Sequence, residues 1–242
     1  MDIITAKEHL HKEGYCDFEL KDFDENGYNL LSELKFKQGD LNYLQKFKIV
    51  RFDYLGKNNE GPIRINDSYN SYDTAIKIRK EFLEKYDNDY IAQIWSTSEN
   101  LPFNIDEISK IYNNILNYFY SKTTNDVFFG FQWTCYSEGD FLKDHNDGQG
   151  DYHQNVCAIL IYLNEEWEEE WGGNLILRNT KHANYANTEV KYKVVPKFGR
   201  VAIIDLEVFD TAHAVEQVIG DHNRCTLLTF ATGKEEKQPK VL

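Results

Sequence analysis

The chain has 242 residues, a formal net charge of −13, and 15 Phe and 16 Tyr spread along its length. That length can bury a substantial single-domain core without covalent staples. The acidic balance, with no clustered Lys and Arg to counter it, excludes nucleic acid and an anionic membrane surface as partners.

The first stretch, "MDIITAKEHLHKEG", is charged and amphipathic, so it is no signal peptide, and no run is long enough to span a bilayer. "EHLHKEGYCDFEL" predicts a short helix stopped at Gly14 and followed by a strand. From about Tyr54 to Asp73 the chain is polar and turn-forming, which predicts a long surface loop, either a lid or an insertion. "NIDEISKIYNNILNYFYS" predicts a helix capped by Asn104, with Ile108, Ile111, Ile115 and Phe119 on the face that packs against a sheet.

From Val127 onward eight strands are expected: "FFGFQWTCY", "FLKDHND", "NVCAILIYL", "GNLILRN", "EVKYKVV", "RVAIID", "AHAVEQV" and "CTLLTFA". The acidic run "NEEWEEEW" between two of them reads as a solvated loop. Short antiparallel strands without intervening helices predict a mainly β, α+β fold: a double-stranded β-helix, or jelly roll, with supporting helices from the N-terminal half. The expected organisation is a single domain over 1–242. Residues 1–125 supply N-terminal helices and extra strands, 126–233 the jelly-roll core, and 234–242 a tail.

Cys16, Cys135, Cys157 and Cys225 are far apart and mostly lie in apolar runs. They are expected to be free buried thiols, which places the protein in a reducing compartment, the cytoplasm.

His145 and Asp147 stand two positions apart where a strand ends. At that spacing on a strand both side chains leave one face and converge. A third ligand must come from elsewhere, and His213, which opens another apolar strand, is the best candidate. Two histidines and one carboxylate on one side of an ion leave positions open, the arrangement of non-haem Fe(II) oxygenases. His9, His11, His153, His182 and His222 lack a carboxylate at strand spacing and are expected to be solvated. Asp144 and Asp151 are candidates for orienting a ligand imidazole.

Arg224 opens an apolar strand with Thr226 on its face, and no protein carboxylate is on offer to it. A buried guanidinium needs an anion, and a dicarboxylic cosubstrate would supply one. Parity in "FFGFQWTCY" sets Phe129, Phe131, Trp133 and Cys135 against the helix, and turns Gly130, Gln132, Thr134 and Tyr136 toward the cavity.

The ordered series "YSEGDFLKDHND", "YLNEEW", "GGNLIL", "VPKFGRVAIID" and "HAVEQVIGDHNRCTLLTF" resembles the Fe(II)/2-oxoglutarate oxygenases of the prolyl-4-hydroxylase-like group, over about residues 127 to 232. The resemblance implies Fe(II) ligation by His145, Asp147 and His213, with Arg224 bridging to the distal carboxylate of 2-oxoglutarate. It gives Tyr162 a contact to that carboxylate, places Tyr136 at the cosubstrate pocket, and matches Thr226 to the family's R-x-S/T pattern. It further implies O2 as oxidant, ascorbate as accessory reductant, and succinate and CO2 as coproducts. Related halogenases carry Gly or Ala where Asp147 stands, so hydroxylation is expected.

Two versions of the substrate stay open at this stage: an amino-acid side chain in a peptide or protein, toward which the reading leans, or a free amino acid or small metabolite. Arg51, Arg64, Arg79 and Trp95 are candidate anchors for the latter. A cupin-like metal- or sugar-binding module without catalysis explains the jelly roll but leaves Arg224 and Tyr162 without a role.

Overall fold

The computed structural model describes residues 1–33, 52–54, 63–65, 90–91, 94–97, 105–147, 155–178, 189–209 and 211–233. Helix α1 (Ile3–Glu13) starts where the Asp2 carboxylate accepts the backbone N–H groups of Ile4 and Thr5. It stops at Gly14, as expected, with φ 83°, a left-handed conformation in which a side chain would also overlap Phe209. Strand β1 (Tyr15–Glu19), helices α2 (Leu20–Phe23) and α3 (Glu25–Ser32), and short strands β2 (Phe52–Tyr54), β3 (Ile63–Ile65), β4 (Tyr90–Ile91) and β5 (Ile94–Thr97) follow. Helix α4 (Ile105–Tyr120) leads into β6 (Val127–Tyr136), β7 (Leu142–His145), β8 (Asn155–Tyr162), β9 (Leu175–Arg178), β10 (Val190–Val194), β11 (Arg200–Asp205), β12 (His213–Val215) and β13 (Arg224–Gly233).

All eight strands expected after Val127 form, in two antiparallel sheets. The larger runs β1-β11-β8-β13-β6-β5 and the smaller β10-β9-β12-β7. Their facing sides share one core, in which Leu175, Leu177 and Val194 of the smaller sheet meet Ala158, Leu160, Ala202 and Ile204 of the larger. This is the jelly roll. The outer side of the large sheet is covered by α1 and α4 through Ala6, Leu10, Ile108, Ile111, Ile115 and Phe119. Parity on β6 is as predicted: Phe131 packs edge-on against Tyr112 of α4 at 5.2 Å. The Tyr112 hydroxyl also donates to the Leu227 carbonyl, 2.7 Å, and ties the helix to β13.

The structure corrects several expectations. Cys135 and Cys225 lie directly opposite each other on β6 and β13, Cα–Cα 4.3 Å, and form a disulfide; only Cys16 and Cys157 are free among the described residues. Opposed positions on neighbouring antiparallel strands bring two β-carbons together however far apart they are in sequence. Cysteine usage therefore gives no argument for a reducing compartment. Within the stretch expected to be a loop, the alternating Ile63–Ile65 pairs with β2; residues 55–62 and 66–73 lie outside the described residues. The glutamates of "NEEWEEEW" are exposed, but Trp167 is buried with Tyr136, Val215 and Val218, and its indole N–H donates to the Gly172 carbonyl.

His9 is not solvated: its ring meets Tyr15 at 4.9 Å and its Nε2 is buried without a hydrogen bond among the described residues. His11 Nε2 lies 3.1 Å from the Phe119 carbonyl. His222 stacks on Trp171 at 3.9 Å. Arg51, Arg79, Asn104, Asp151, His153, His182 and the tail 234–242 lie outside the described residues, while Arg64 falls in β3 and Trp95 in β5. Among the described residues no helix is long and apolar enough to cross a membrane.

Candidate active site

β12 lies between β9 and β7, and the register sets His213 directly opposite His145. The two imidazole rings are consequently 4.2 Å apart. β7 ends at His145, so Asp147 reaches the pair from the bend beyond it rather than from a strand face. Its carboxylate oxygens lie 3.5 Å from His145 Nε2 and 3.2 Å from His213 Nε2. Ligand atoms of all three residues fall within 4.8 Å of one another.

The ring of His213 is aimed from behind. Its Nδ1 lies 3.0 Å from the Thr211 carbonyl, which can only accept, so Nδ1 carries a proton and Nε2 is the nitrogen turned toward Asp147. Burial alone would raise the Asp147 pKa, but the charge of His213 and hydrogen bonds from both imidazoles outweigh it and hold the group well below the carboxylate range. Two imidazole nitrogens and an ionised carboxylate facing one point are a donor set that suits Fe(II).

A second feature sits on the inner face of the large sheet. Arg224 is 1% exposed, yet among the described residues no carboxylate pairs with it. Its Nε donates to the Gly173 carbonyl at 2.6 Å, and one terminal nitrogen lies 3.5 Å from the Tyr162 hydroxyl. Tyr136, directly opposite on β6, and Tyr162 each stand with their rings 5.1 Å from the guanidinium carbon. Thr226 Oγ1 is buried with no hydrogen-bond partner among the described residues. Burial raises the pKa of Tyr136 and Tyr162 against the pull of Arg224, so both hydroxyls are neutral donors. A buried cation, two phenol donors and an orphaned hydroxyl form a cradle for a carboxylate. The cradle adjoins the histidines, because the Tyr136 hydroxyl feels the charges of both Arg224 and Asp147.

Comparison with known proteins points the same way. Residues 131–230, which hold the triad and the cradle, match the model of the 2OG-Fe(II) oxygenase superfamily. That stretch is similar to the 2OG-Fe(II) oxygenases. The fold is shared with a prolyl-4-hydroxylase from Pseudomonas putida, TM-score 0.55 at 13% identity, covering 96% of this chain and 99% of that one. AviO1 from Streptomyces viridochromogenes Tue57 gives 0.54 at 12% identity over 98% and 97% of the two chains. The non-heme alpha ketoglutarate dependent epimerase SnoN from nogalamycin biosynthesis gives 0.57 at 9% identity over 95% and 82%. No curated protein sequence matches the chain. Enzymes of this superfamily use Fe(II), 2-oxoglutarate and O2, a set that the triad and the cradle fit and that the cupin-like module leaves unexplained.

Thus the structure brings together all seven residues singled out from the sequence: His145, Asp147 and His213 at one point, and Arg224, Tyr162, Tyr136 and Thr226 beside it. Asp144, expected to orient an imidazole, instead pairs with Arg178 across β12, with a second contact of 3.1 Å. Sequence reasoning also missed the residues that hold Arg224. Gly173, φ 64°, offers its carbonyl to the guanidinium, and a side chain there would meet Trp167 at 3.0 Å and Arg224 Cδ at 3.1 Å. Asn164 accepts the N–H of Cys225 at 3.0 Å and donates to the Asn223 carbonyl, locking the start of β13. Ser137 donates to the Asn223 side chain at 2.7 Å. The doubled glycine in "WGGN" was the one sequence signal for this support.

Proposed function

We propose that the oxygenase hydroxylates an amino-acid side chain within a peptide or protein, with His145, Asp147 and His213 holding Fe(II) and Arg224 holding the distal carboxylate of 2-oxoglutarate. The observation that carries these roles is the fully buried Arg224 without a carboxylate partner among the described residues, set beside three convergent metal donors. When bound, Fe(II) with 2-oxoglutarate and O2 supplies the power to convert a C–H bond to C–OH while 2-oxoglutarate is cleaved to succinate and CO2. The work of the chain is placement. Arg224, Tyr162 and Thr226 fix one end of the cosubstrate, Tyr136 lines its flank, and the Thr211 carbonyl keeps His213 aimed.

The peptide reading is supported by the cover of 99% of a prolyl-4-hydroxylase chain and by a site open on its His145 side, where that side chain is 32% exposed. The likeness to AviO1 and to the epimerase SnoN supports the other version, a small metabolite. Incubation with peptide and metabolite pools, followed by mass spectrometry for the gain of one oxygen, separates them. Anaerobic Fe(II) with 2-oxoglutarate is expected to give a weak visible charge-transfer band, lost in His145→Ala. Arg224→Ala is expected to raise the 2-oxoglutarate Kd by at least about tenfold, the loss of one charge-assisted bidentate contact. An unchanged Kd in Arg224→Ala would remove the cosubstrate assignment.

A further inference from the structure

The cradle sits where three strands run out. Tyr136 is the last residue of β6, Tyr162 the last of β8, and Arg224 the first of β13. Arg224 has its register partner on β6, in Tyr136; the ladder between β13 and β8 begins only at Thr226, opposite Tyr162. Terminal pairs of a ladder open before interior ones. This pair has an added reason to open, because a buried guanidinium regains hydration by leaving. The bonds from Arg224 to the Gly173 carbonyl and the Tyr162 hydroxyl fasten the side chain, not the strand end that carries it.

Toward β8 that strand end is tied by the Asn164 side chain, which accepts the Cys225 N–H at 3.0 Å, and by the Leu163 N–H, which donates to the Cys225 carbonyl at 3.1 Å. Toward β6 the tie is covalent. The first pair inward from Arg224 and Tyr136 is Cys225 opposite Cys135, joined as a disulfide. Alternation turns the two sulfurs outward into the core beneath α4, while Arg224 and Tyr136 turn inward with the guanidinium carbon 5.1 Å from the ring. The crosslink therefore fixes the spacing of the backbone from which two cradle side chains spring. The joined residues are 90 positions apart, so no short loop does this instead. Loss of an apolar contact elsewhere on the outer face leaves that spacing in place, whereas loss of the crosslink does not. Cys16 and Cys157 stand in register with Ile203 and with Ala231 and Asp205, and neither opposes a cysteine on a neighbouring strand.

We propose that the disulfide of Cys135 and Cys225 is a positioning group for 2-oxoglutarate. Closed, it holds Arg224 and Tyr136 in register for the distal carboxylate; opened by a dithiol, it lets the strand ends part and weakens cosubstrate binding. This rests on the oxygenase reading above and adds to it a redox dependence of cosubstrate affinity. In the opening step two electrons and two protons pass from the dithiol, which closes to its own disulfide, while the S–S bond becomes two thiols. His145 and His213 are carried by β7 and β12 of the smaller sheet, so the metal donors keep their arrangement in both states.

The test compares three forms of the full chain with Mn(II): wild type isolated in air, wild type treated with dithiothreitol that is then removed anaerobically, and Cys135→Ala/Cys225→Ala. Alkylation after denaturation is expected to count two thiols in the first form and four in the second. Calorimetry then measures the Kd of Mn(II) alone, of 2-oxoglutarate, and of 2-oxobutyrate, a 2-oxo acid without a distal carboxylate. In both opened forms the 2-oxoglutarate Kd is expected to rise about tenfold, while the other two stay within about twofold of the closed form. The reduced wild type serves if the double variant does not fold. Four thiols in the air-isolated protein, two after dithiothreitol, an unchanged 2-oxoglutarate Kd, or an equal weakening of 2-oxobutyrate would overturn the inference. Failure of the air-isolated wild type to bind Mn(II) with 2-oxoglutarate would instead remove the oxygenase reading itself.

Discussion

Arg224 was legible at the residue scale because its chemistry is intrinsic: a guanidinium at the head of an apolar strand cannot be buried without an anion. Its support was not legible, since the partners come from four separate places in the chain, Ser137, Asn164, Gly173 and Asn223. Gly173→Ala forces a side chain onto a left-handed backbone and against Arg224 Cδ. The expected result is a loss of about 1–2 kcal/mol in stability by denaturant unfolding and a rise of about tenfold in the 2-oxoglutarate Kd by calorimetry. His9 makes a different prediction. Burial holds its pKa below the ordinary imidazole value of 6.5, against the opposing charge of Glu13. The folded state therefore binds this proton less well than the unfolded one. The stabilising contribution is present above pH 6.5 and is lost as pH falls through the lowered value. The decline in Tm on going from about pH 7 to pH 5 is expected to be shallower in His9→Gln than in wild type.

Among the elements, strand existence was legible from alternation and helix α4 from its apolar stripe of Ile108, Ile111, Ile115 and Phe119. Pairing was not, because each strand offers the same hydrogen-bonding edge to any neighbour. That is why the partner of His145 and the disulfide between Cys135 and Cys225 emerged only with register. The Asp144–Arg178 pair belongs to this scale. It straddles β12 on the outer face, over Ala214, and ties the strand of His145 to β9. Asp144→Asn and Arg178→Gln are each expected to weaken Mn(II) binding about three- to tenfold. A double-mutant cycle should return a coupling of about 1 kcal/mol, as for a half-buried bidentate pair. Additive effects in that cycle would mean that the pair does not act as a clamp.

For the whole molecule, two different functions are assigned to the two faces of the large sheet. The outer face, under α1 and α4, is a closed apolar core; the inner face carries the cradle. Truncation on the outer face should therefore cost stability and spare binding. Ile115→Ala is expected to lose about 2–5 kcal/mol of unfolding free energy with the 2-oxoglutarate Kd unchanged in the folded fraction. Conversely, Mn(II) with 2-oxoglutarate at about a hundred times their Kd should stabilise the fold by about 2.7 kcal/mol, read as a rise in Tm that EDTA reverses.

From its sequence alone this protein was determined to be a mainly β jelly roll with a candidate triad His145, Asp147 and His213 and a buried arginine in want of a diacid. These follow from periodicity and from side-chain chemistry, which are local properties of the chain. Tertiary structure alone decided that Asp147 reaches in from a bend, that Asp144 serves Arg178 rather than an imidazole, and that Gly173 seats Arg224. Each of these depends on register between strands remote in sequence, and register is set by the packed core as a whole rather than by any one segment.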